Sequence, residues 1–282
     1  MPTVLDRSPR LGGLYVKAAL GAVGRRGHEL PDTELLHEAV SVDRDHLAEY
    51  ARVCGFPVAD ALPATYPHVL AFPMQVALMA QRSFPLPLPG LVHVRNRITL
   101  RRAIDAAEPL SVLVHAEGLR AHPKGAQVDL VARVDAAGEP VWEGRSTYLA
   151  RGATAPEGAA EPAEPQRIED GRPVATWLVD AGVGRRYAHA SGDVNPIHLH
   201  PLTAKAFGFP RAIAHGMWTA AHALAALQGR LPAAFTYDVA FGKPLLLPST
   251  VELRTRSADG GWSIEVGGRT GVHLTALVRP LI

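Results

Sequence analysis

Apolar residues alternate with polar ones in two groups of short runs along the chain. Runs of this kind, separated by turn pairs such as Ala-Gly and Gly-Gly, predict antiparallel strands. In the first half the predicted strands are Leu91–Thr99, Leu110–Leu119, Gln127–Val134 and Val141–Ala150. In the second half they are Phe235–Lys243, Thr250–Arg256, Trp262–Val266 and Val272–Arg279. The pattern therefore predicts one antiparallel meander in each half.

Helices are predicted ahead of each group of strands. A short helix should begin at Asp43 and another at Asp180, because Asp is a favoured N-cap residue. A longer helix should follow, beginning near Pro73 in the first half and near Gly216 in the second. The Ala-rich stretch Trp218–Leu227 is a strong helix former and argues against an all-β sandwich. We therefore expect an α+β fold in which each sheet wraps around a long helix.

The two halves resemble each other in sequence. Around Tyr50 and around Tyr187, an Asp stands seven residues before a Tyr-Ala pair and a Gly follows five residues after the Tyr. Between the halves, residues 152–173 are rich in Pro, Ala and Glu and lack apolar periodicity, which predicts an extended linker. Duplication is the simplest account. The predicted domains are residues 1–151 and 174–282, joined by the linker 152–173.

The composition of the chain argues against several classes of protein. The 282 residues carry a formal charge of +2 and the pI is about 8.8, without the concentrated basic stripe of a nucleic-acid-binding protein. The single cysteine, Cys54, allows no disulfide within the chain, and no secretory signal is recognised, so a cytoplasmic location is expected. The apolar stretch Leu14–Val23 is shorter than the roughly 20 residues that span a bilayer. It predicts a short docking helix and no membrane insertion.

One loop carries residues suited to acid–base chemistry. Asp193, Asn195 and His198 lie within six positions, and Gly192 and Pro196 disfavour a regular helix through them. A tight loop can therefore aim a carboxylate, an amide and an imidazole at one point. Such a trio can hold and polarise a water molecule, or deliver and remove protons.

A helix beginning at Gly216 would add a fourth component. The first N–H groups of a helix have no partners within it, so they could stabilise a developing oxyanion. The first half serves as an internal control, because its shorter loop holds no matching acid–base pair. The matched residues are Phe56 for Asp193, Phe72 for His215 and Pro73 for Gly216. The chemistry is therefore expected in the second half alone.

Other interpretations of these residues remain open. Asp193 and Asn195 could be turn formers only, because Ser-Gly-Asp and Asn-Pro are common turn sequences. The histidines of this region raise the question of a metal site. His198 and His200 are two residues apart, a spacing that places two ligands on one side of a strand but not of this loop. No metal site is therefore predicted. Ser191 lacks the strand–turn–helix context of a hydrolase nucleophile.

The blocks YAHASGDVNPIH and AKAFGFPRAIAHGM resemble the signature of the MaoC-like (R)-specific enoyl-thioester hydratases. Over the whole chain the sequence is similar to double-hotdog (3R)-hydroxyacyl-thioester dehydratases. The resemblance implies a double-hotdog fold and reversible syn addition of water to a trans-2-enoyl thioester. By position, Asp193 and His198 match the catalytic pair, Asn195 matches the residue that orients them, and Gly216 matches the oxyanion donor.

The resemblance also implies which cofactors and carrier molecules the chain binds. No metal or redox cofactor is implied, and the acyl group is carried on coenzyme A or on acyl carrier protein. Among the cations near the motif, Lys243 and Arg211 are the candidates for contacting the phosphates of that carrier. Because one double hotdog resembles a dimer of single ones, both a monomer and a homodimer of the whole chain are compatible with the sequence.

Two other functions are left open. The first is an acyl-thioester thioesterase, which would use a carboxylate to activate water against the thioester carbonyl. The second is a non-catalytic acyl-binding subunit, which would suit the first half alone. The Asp-x-Asn-Pro-x-His spacing favours hydration and dehydration of acyl thioesters in fatty-acid metabolism.

Overall fold

The computed structural model describes residues 1–14, 29–156, 158, 167–168 and 171–281. The helices are α1 (Arg44–Cys54), α2 (Tyr66–Met79), α3 (Val183–Ser191), α4 (Pro196–Leu199), α5 (Pro201–Ala206) and α6 (Gly216–Ala225). The strands are β1 (Thr3–Leu5), β2 (Leu35–Val40), β3 (Leu91–Leu100), β4 (Leu110–His122), β5 (Gly125–Ala136), β6 (Glu139–Arg151), β7 (Ala175–Val179), β8 (Phe235–Phe241), β9 (Ser249–Ala258), β10 (Gly261–Gly268) and β11 (Gly271–Pro280).

The chain divides into two compact units. The first comprises Met1–Val42, Pro67–Asn96 and Ala107–Pro162, and the second comprises Asp43–Tyr66, Arg97–Ala106 and Ala163–Ile282. Helix α1 thus groups with the C-terminal residues although it lies early in the sequence. The division of the chain at a linker over residues 152–173 stays a prediction.

The first unit is a sheet with the strand order β1-β2-β4-β5-β6-β3 and the helix α2. Strands β4, β5 and β6 pair antiparallel over most of their length, with Leu110 opposite Ala136 and Val128 opposite Tyr148. Helix α2 is apolar and largely buried along its length, as expected of a helix covered by a sheet.

The second unit has the strand order β8-β11-β10-β9-β7, antiparallel throughout. Along β10, Ile264 and Val266 are fully buried, and β11 places Leu274 opposite Val266. Helix α6 packs on β10 and β11, and α1 packs against α3 and α6. The small residues Ala220, Ala221 and Ala223 in α6 are completely buried, which lets the helix approach its neighbours closely.

The α+β prediction is confirmed, and the eight predicted strands coincide with β3–β6 and β8–β11 to within a few residues. The alternating pattern did not identify β1, β2 and β7. The helix predicted from Asp43 is confirmed, because the Asp43 carboxylate accepts the N–H groups of Asp45 and His46. A helix also begins at Gly216, as predicted.

Two predicted helix starts are wrong. The helix expected near Pro73 begins at Tyr66, so Pro73 lies inside α2. Proline is well tolerated in a first helical turn, and Pro67 occupies that place here. The helix expected from Asp180 begins at Val183, because the Asp180 carboxylate accepts the Gly182 N–H at 2.7 Å and pairs with Arg186 instead of capping a helix.

Some predictions fall on parts of the chain that are not described. The docking helix predicted over Leu14–Val23, apart from Leu14 itself, and much of the 152–173 linker lie outside the described residues. Among the residues that the structure describes, no helix is both long and apolar enough to cross a membrane.

Candidate active site

The loop after α3 is a succession of local hydrogen bonds. Gly192 ends α3 in the left-handed conformation, with φ of 74°, and donates its N–H to Ala188 O. The Ser191 hydroxyl then accepts the Asp193 N–H at 3.2 Å, and Asp193 Oδ1 accepts the Asn195 N–H at 3.3 Å. Each contact tightens the turn, so the loop is compact and the Asp193 carboxylate is held by the backbone that follows it.

Asn195 connects this turn to α4. Its side-chain Oδ1 accepts the Ile197 N–H at 3.4 Å, and Pro196 occupies the first helical position. Asn195 is therefore an N-cap residue, and its own N–H is what contacts Asp193. The Asn195 backbone thus contacts the Asp193 carboxylate while its side chain caps the helix, and its orienting role in catalysis stays a prediction.

His198 is buried, with 8% of its surface exposed. Its Nδ1 lies 2.8 Å from Ile213 O. A carbonyl oxygen can only accept, so Nδ1 carries the proton, and in the neutral ring Nε2 keeps a lone pair. Burial lowers the pKa of His198 below its usual range, while the negative charge of Asp193 and the bond to Ile213 oppose the shift. The neutral side chain is thus a base with one available nitrogen.

A second histidine, His215, also contacts this loop. It is 2% exposed, precedes the first residue of α6, and has Nε2 2.9 Å from the backbone oxygen of Asp193. Its ring is stacked on His198, with centroids 3.6 Å apart and an interplanar angle of 26°. The ring of Tyr187 lies 4.9 Å away. Burial, and next the neighbouring His198, hold the pKa of His215 well below its usual range.

Asp193, His198 and His215 converge at one point. A carboxylate oxygen and one nitrogen from each ring lie within 4.8 Å of one another. The Asp193 carboxylate is 27% exposed, and its Oδ2 is 3.8 Å from His215 Nε2, which is too long for a hydrogen bond. Groups of these types also bind zinc. The absence of a metal stays a prediction.

Two glycines bring backbone close to the site. A Cβ on Gly184 would lie 2.2 Å from the backbone oxygen of His198, so α3 contacts the His198 main chain directly. A Cβ on Gly216 would lie 3.0 Å from two ring atoms of Phe241. Gly216 is the first residue of α6, where backbone N–H groups lack partners within the helix.

The structure thus brings Asp193 and His198 together, and Gly216 follows directly after His215. The two predicted carrier contacts are both exposed. Arg211 donates to Pro248 O at 3.1 Å, and Lys243 lies after β8, where its side chain passes Gly271. Sequence reasoning did not identify Gly184. Its only signal was a Gly inside a helix, where Gly costs about 1 kcal/mol relative to Ala.

Comparisons with known proteins identify the family of this chain. The family model described as "MaoC like domain" matches residues 159–275. The chain is 38% identical to 3-hydroxyacyl-thioester dehydratase X of Mycobacterium tuberculosis, over 94% of this chain and 96% of that protein. It is 28% identical to the peroxisomal enoyl-CoA hydratase 2 of Arabidopsis thaliana, over 50% of this chain and 52% of that protein. A crystal structure of HtdX from M. tuberculosis superposes with a TM-score of 0.78 and 38% identity, covering 88% of this chain and all of that chain.

Proposed function

Because this chain belongs to the family of MaoC-like dehydratases, we propose that it removes water reversibly from (3R)-3-hydroxyacyl thioesters to give trans-2-enoyl thioesters. The fold is the α+β double hotdog that the sequence predicted. One observation carries the proposal: a carboxylate and an imidazole with an available lone pair lie within 4.8 Å of each other on a tightly hydrogen-bonded loop.

The acid–base steps follow from the protonation of His198. In dehydration, its Nε2 takes the proton from C2 of the substrate, and the electrons of that C–H bond move toward the thioester carbonyl. The C3–O bond then breaks, and the imidazolium returns the proton to the departing hydroxyl, which leaves as water. Both transfers occur on one face, which accounts for syn chemistry. The neutral base is regenerated in each turnover.

Asp193 supports the same steps through its charge and its acceptor oxygens. A carboxylate within 4.8 Å favours the transient imidazolium. Its exposed oxygen can also accept the hydrogen of the C3 hydroxyl and orient that group. The N–H of Gly216 is the proposed donor to the carbonyl oxygen, where negative charge develops as the C2 proton leaves. Asn195 holds Asp193 in place through its backbone.

The acyl carrier is proposed to be coenzyme A or acyl carrier protein. Lys243 and Arg211 are the proposed contacts to its phosphates, because both are exposed cations. The proposed chemistry uses side-chain and backbone groups of this chain, so no separate cofactor is invoked. We place the reaction in the cytoplasm, in the C-terminal domain of residues 174–282, with the domain of residues 1–151 and the linker 152–173 outside the chemistry. The assembly is a monomer or a homodimer.

The decisive assay follows the conjugated enoyl absorbance of trans-2-enoyl-CoA. The purified chain should bleach it, and the product should be the (3R)-hydroxyacyl-CoA. An unchanged absorbance would refute the proposal in favour of a non-catalytic acyl-binding subunit. Release of free thiol without hydration would instead identify a thioesterase. A parallel reaction with enoyl-acyl carrier protein compares the two carriers.

A further inference from the structure

The feature with the least explained role in the site is the second histidine, His215. It is 2% exposed and contacts two rings, that of His198 at a centroid distance of 3.6 Å and that of Tyr187 at 4.9 Å. Its Nε2 contacts the backbone oxygen of Asp193, not the carboxylate. One side chain therefore contacts both members of the proposed acid–base pair, although it lies 22 residues from Asp193 in sequence.

The contacts determine where the His215 proton sits. The Asp193 oxygen is a carbonyl, so His215 must donate through Nε2. Its Nδ1 is buried and has no hydrogen-bond partner among the residues that the structure describes. A buried N–H without an acceptor is costly, and a buried positive charge on the ring would add to that cost. The ring is therefore neutral, with its proton on Nε2.

We propose that His215 is a positioning residue that orders the catalytic loop, its N–H holding the Asp193 main chain while its neutral ring supports one face of His198. The inference rests on the proposed function, since it assigns His215 a part in the same reaction. The stack keeps the His198 ring from tilting away from Asp193. Because the supporting ring is uncharged, it leaves His198 free to accept a proton.

The first half of the chain is consistent with this role. Its block matching the motif has Phe72 in the place of His215 and Phe56 in the place of Asp193. The first half thus keeps an aromatic ring at this position but lacks the N–H donor, and it also lacks the carboxylate whose main chain that donor contacts in the second half. This pairing predicts that a ring alone supports the packing, whereas the donated N–H serves the chemistry.

Kinetics of three variants test the proposal. His215→Phe keeps a ring and removes the donor, so kcat should fall by about 100-fold with KM little changed, as a displacement near 1 Å at a reacting group can produce. His215→Gln restores an N–H donor of similar reach without the ring, and should recover part of that loss. The matched control is His222→Phe, since His222 lies in α6, the helix that His215 precedes, and it too donates to a backbone oxygen, Cys54 O at 2.8 Å, and stacks on an aromatic ring, that of Trp218.

The control separates positioning from general packing. His222→Phe should lower the melting temperature as much as His215→Phe does, while its kcat stays within about two-fold of the original. Equal loss of kcat in both variants would overturn the proposal, as would a folded His215→Phe variant with the original kcat and pH profile.

A spectroscopic measurement tests the proton assignment without any substrate. Nitrogen-15 chemical shifts are measured at neutral pH on protein with labelled histidines. The histidine signal that is lost in His215→Phe should be that of a neutral ring with its proton on Nε2. A charged ring, or a proton on Nδ1, would overturn the inference even if the enzyme is active. If the original chain does not hydrate enoyl-CoA, the proposed function is overturned. The position of the His215 proton can still be determined, because that measurement needs no substrate.

Discussion

Replacing Gly184 with Ala is the most direct test of how the fold positions His198. The added Cβ would lie 2.2 Å from the His198 backbone oxygen, whereas a carbon and a carbonyl oxygen normally approach to about 3.3 Å. The backbones of α3 and His198 must therefore separate by about 1 Å. Misplacement of this size can lower a rate by about 100-fold.

The cost in stability should be much smaller than the cost in activity. Alanine is a better helix former than glycine by about 1 kcal/mol, and overpacking of a close contact costs about 1–3 kcal/mol. The net destabilisation is then about 0–2 kcal/mol, so the variant should stay folded with a modestly lower melting temperature. Its kcat for enoyl-CoA hydration should nevertheless fall by about two orders of magnitude.

Gly182→Ala is the matched control, because the three atoms nearest to its Cβ would be side-chain ends of Arg186, Asp180 and Arg185, and none of them is a backbone atom. That variant should hydrate enoyl-CoA at close to the original rate. If Gly184→Ala kept the original kcat, direct contact between α3 and the His198 backbone would not be what positions the imidazole, and the reasoning above would be wrong.

Four further predictions concern the same unit. Asp193→Asn and His198→Gln should each reduce kcat by about 10³-fold or more with unchanged circular dichroism, and near-native turnover would remove that residue from the proposed pair. The His198 pKa is lowered from 6.5, so kcat/KM should rise with pH up to a value below 6.5 and then level off; a plateau beginning above pH 7 would contradict a neutral base. Gly216→Ala should lower both kcat and the melting temperature, because its Cβ would press on the Phe241 ring at 3.0 Å, and unchanged kinetics would argue against the oxyanion role. Lys243→Ala should raise KM for enoyl-CoA several-fold without changing kcat, and an unaltered KM would exclude Lys243 from carrier binding.

Stability should also depend on pH in a defined direction. The pKa values of His198 and His215 are both lowered by burial, so the unfolded chain binds protons more tightly than the folded one. Stability should therefore be retained above the usual histidine pKa of 6.5 and lost progressively as the pH falls below it. Melting temperatures measured between pH 8 and pH 5 give the check, and a melting temperature that rose on acidification would contradict the buried neutral rings.

The sequence alone determined the elements whose signals are local. Two-residue alternation identified eight strands, and the Asp43 carboxylate marked the start of α1 because an N-cap needs only the N–H groups that follow it. The spacing of Asp193 and His198, with Gly192 and Pro196 around them, predicted a compact loop. The contacts that shape this loop also span only two residues each, which explains why short-range reasoning sufficed.

Helix starts were less well determined wherever a side chain had a competing partner. Asp180 looks like an N-cap in sequence, but its ion pair with Arg186 and its contact with the Gly182 N–H delay α3 to Val183. Pro73 looks like a helix start, but it lies inside α2 because a favourable first turn is available earlier, around Pro67. A single local signal therefore placed neither helix start, because the contacts of Asp180 and the earlier turn at Pro67 involve other residues.

Only the tertiary structure decided how the site is supported. The His198–His215 stack, the bond from His215 to the Asp193 main chain and the approach of Gly184 to His198 join residues that are 14 to 22 positions apart. No periodicity or turn preference encodes such contacts, since they arise only when α3 and the start of α6 both pack against one loop. The sequence identified the groups that carry the proposed chemistry. The packing of the two helices determines how those groups are oriented and which nitrogen of each ring holds its proton.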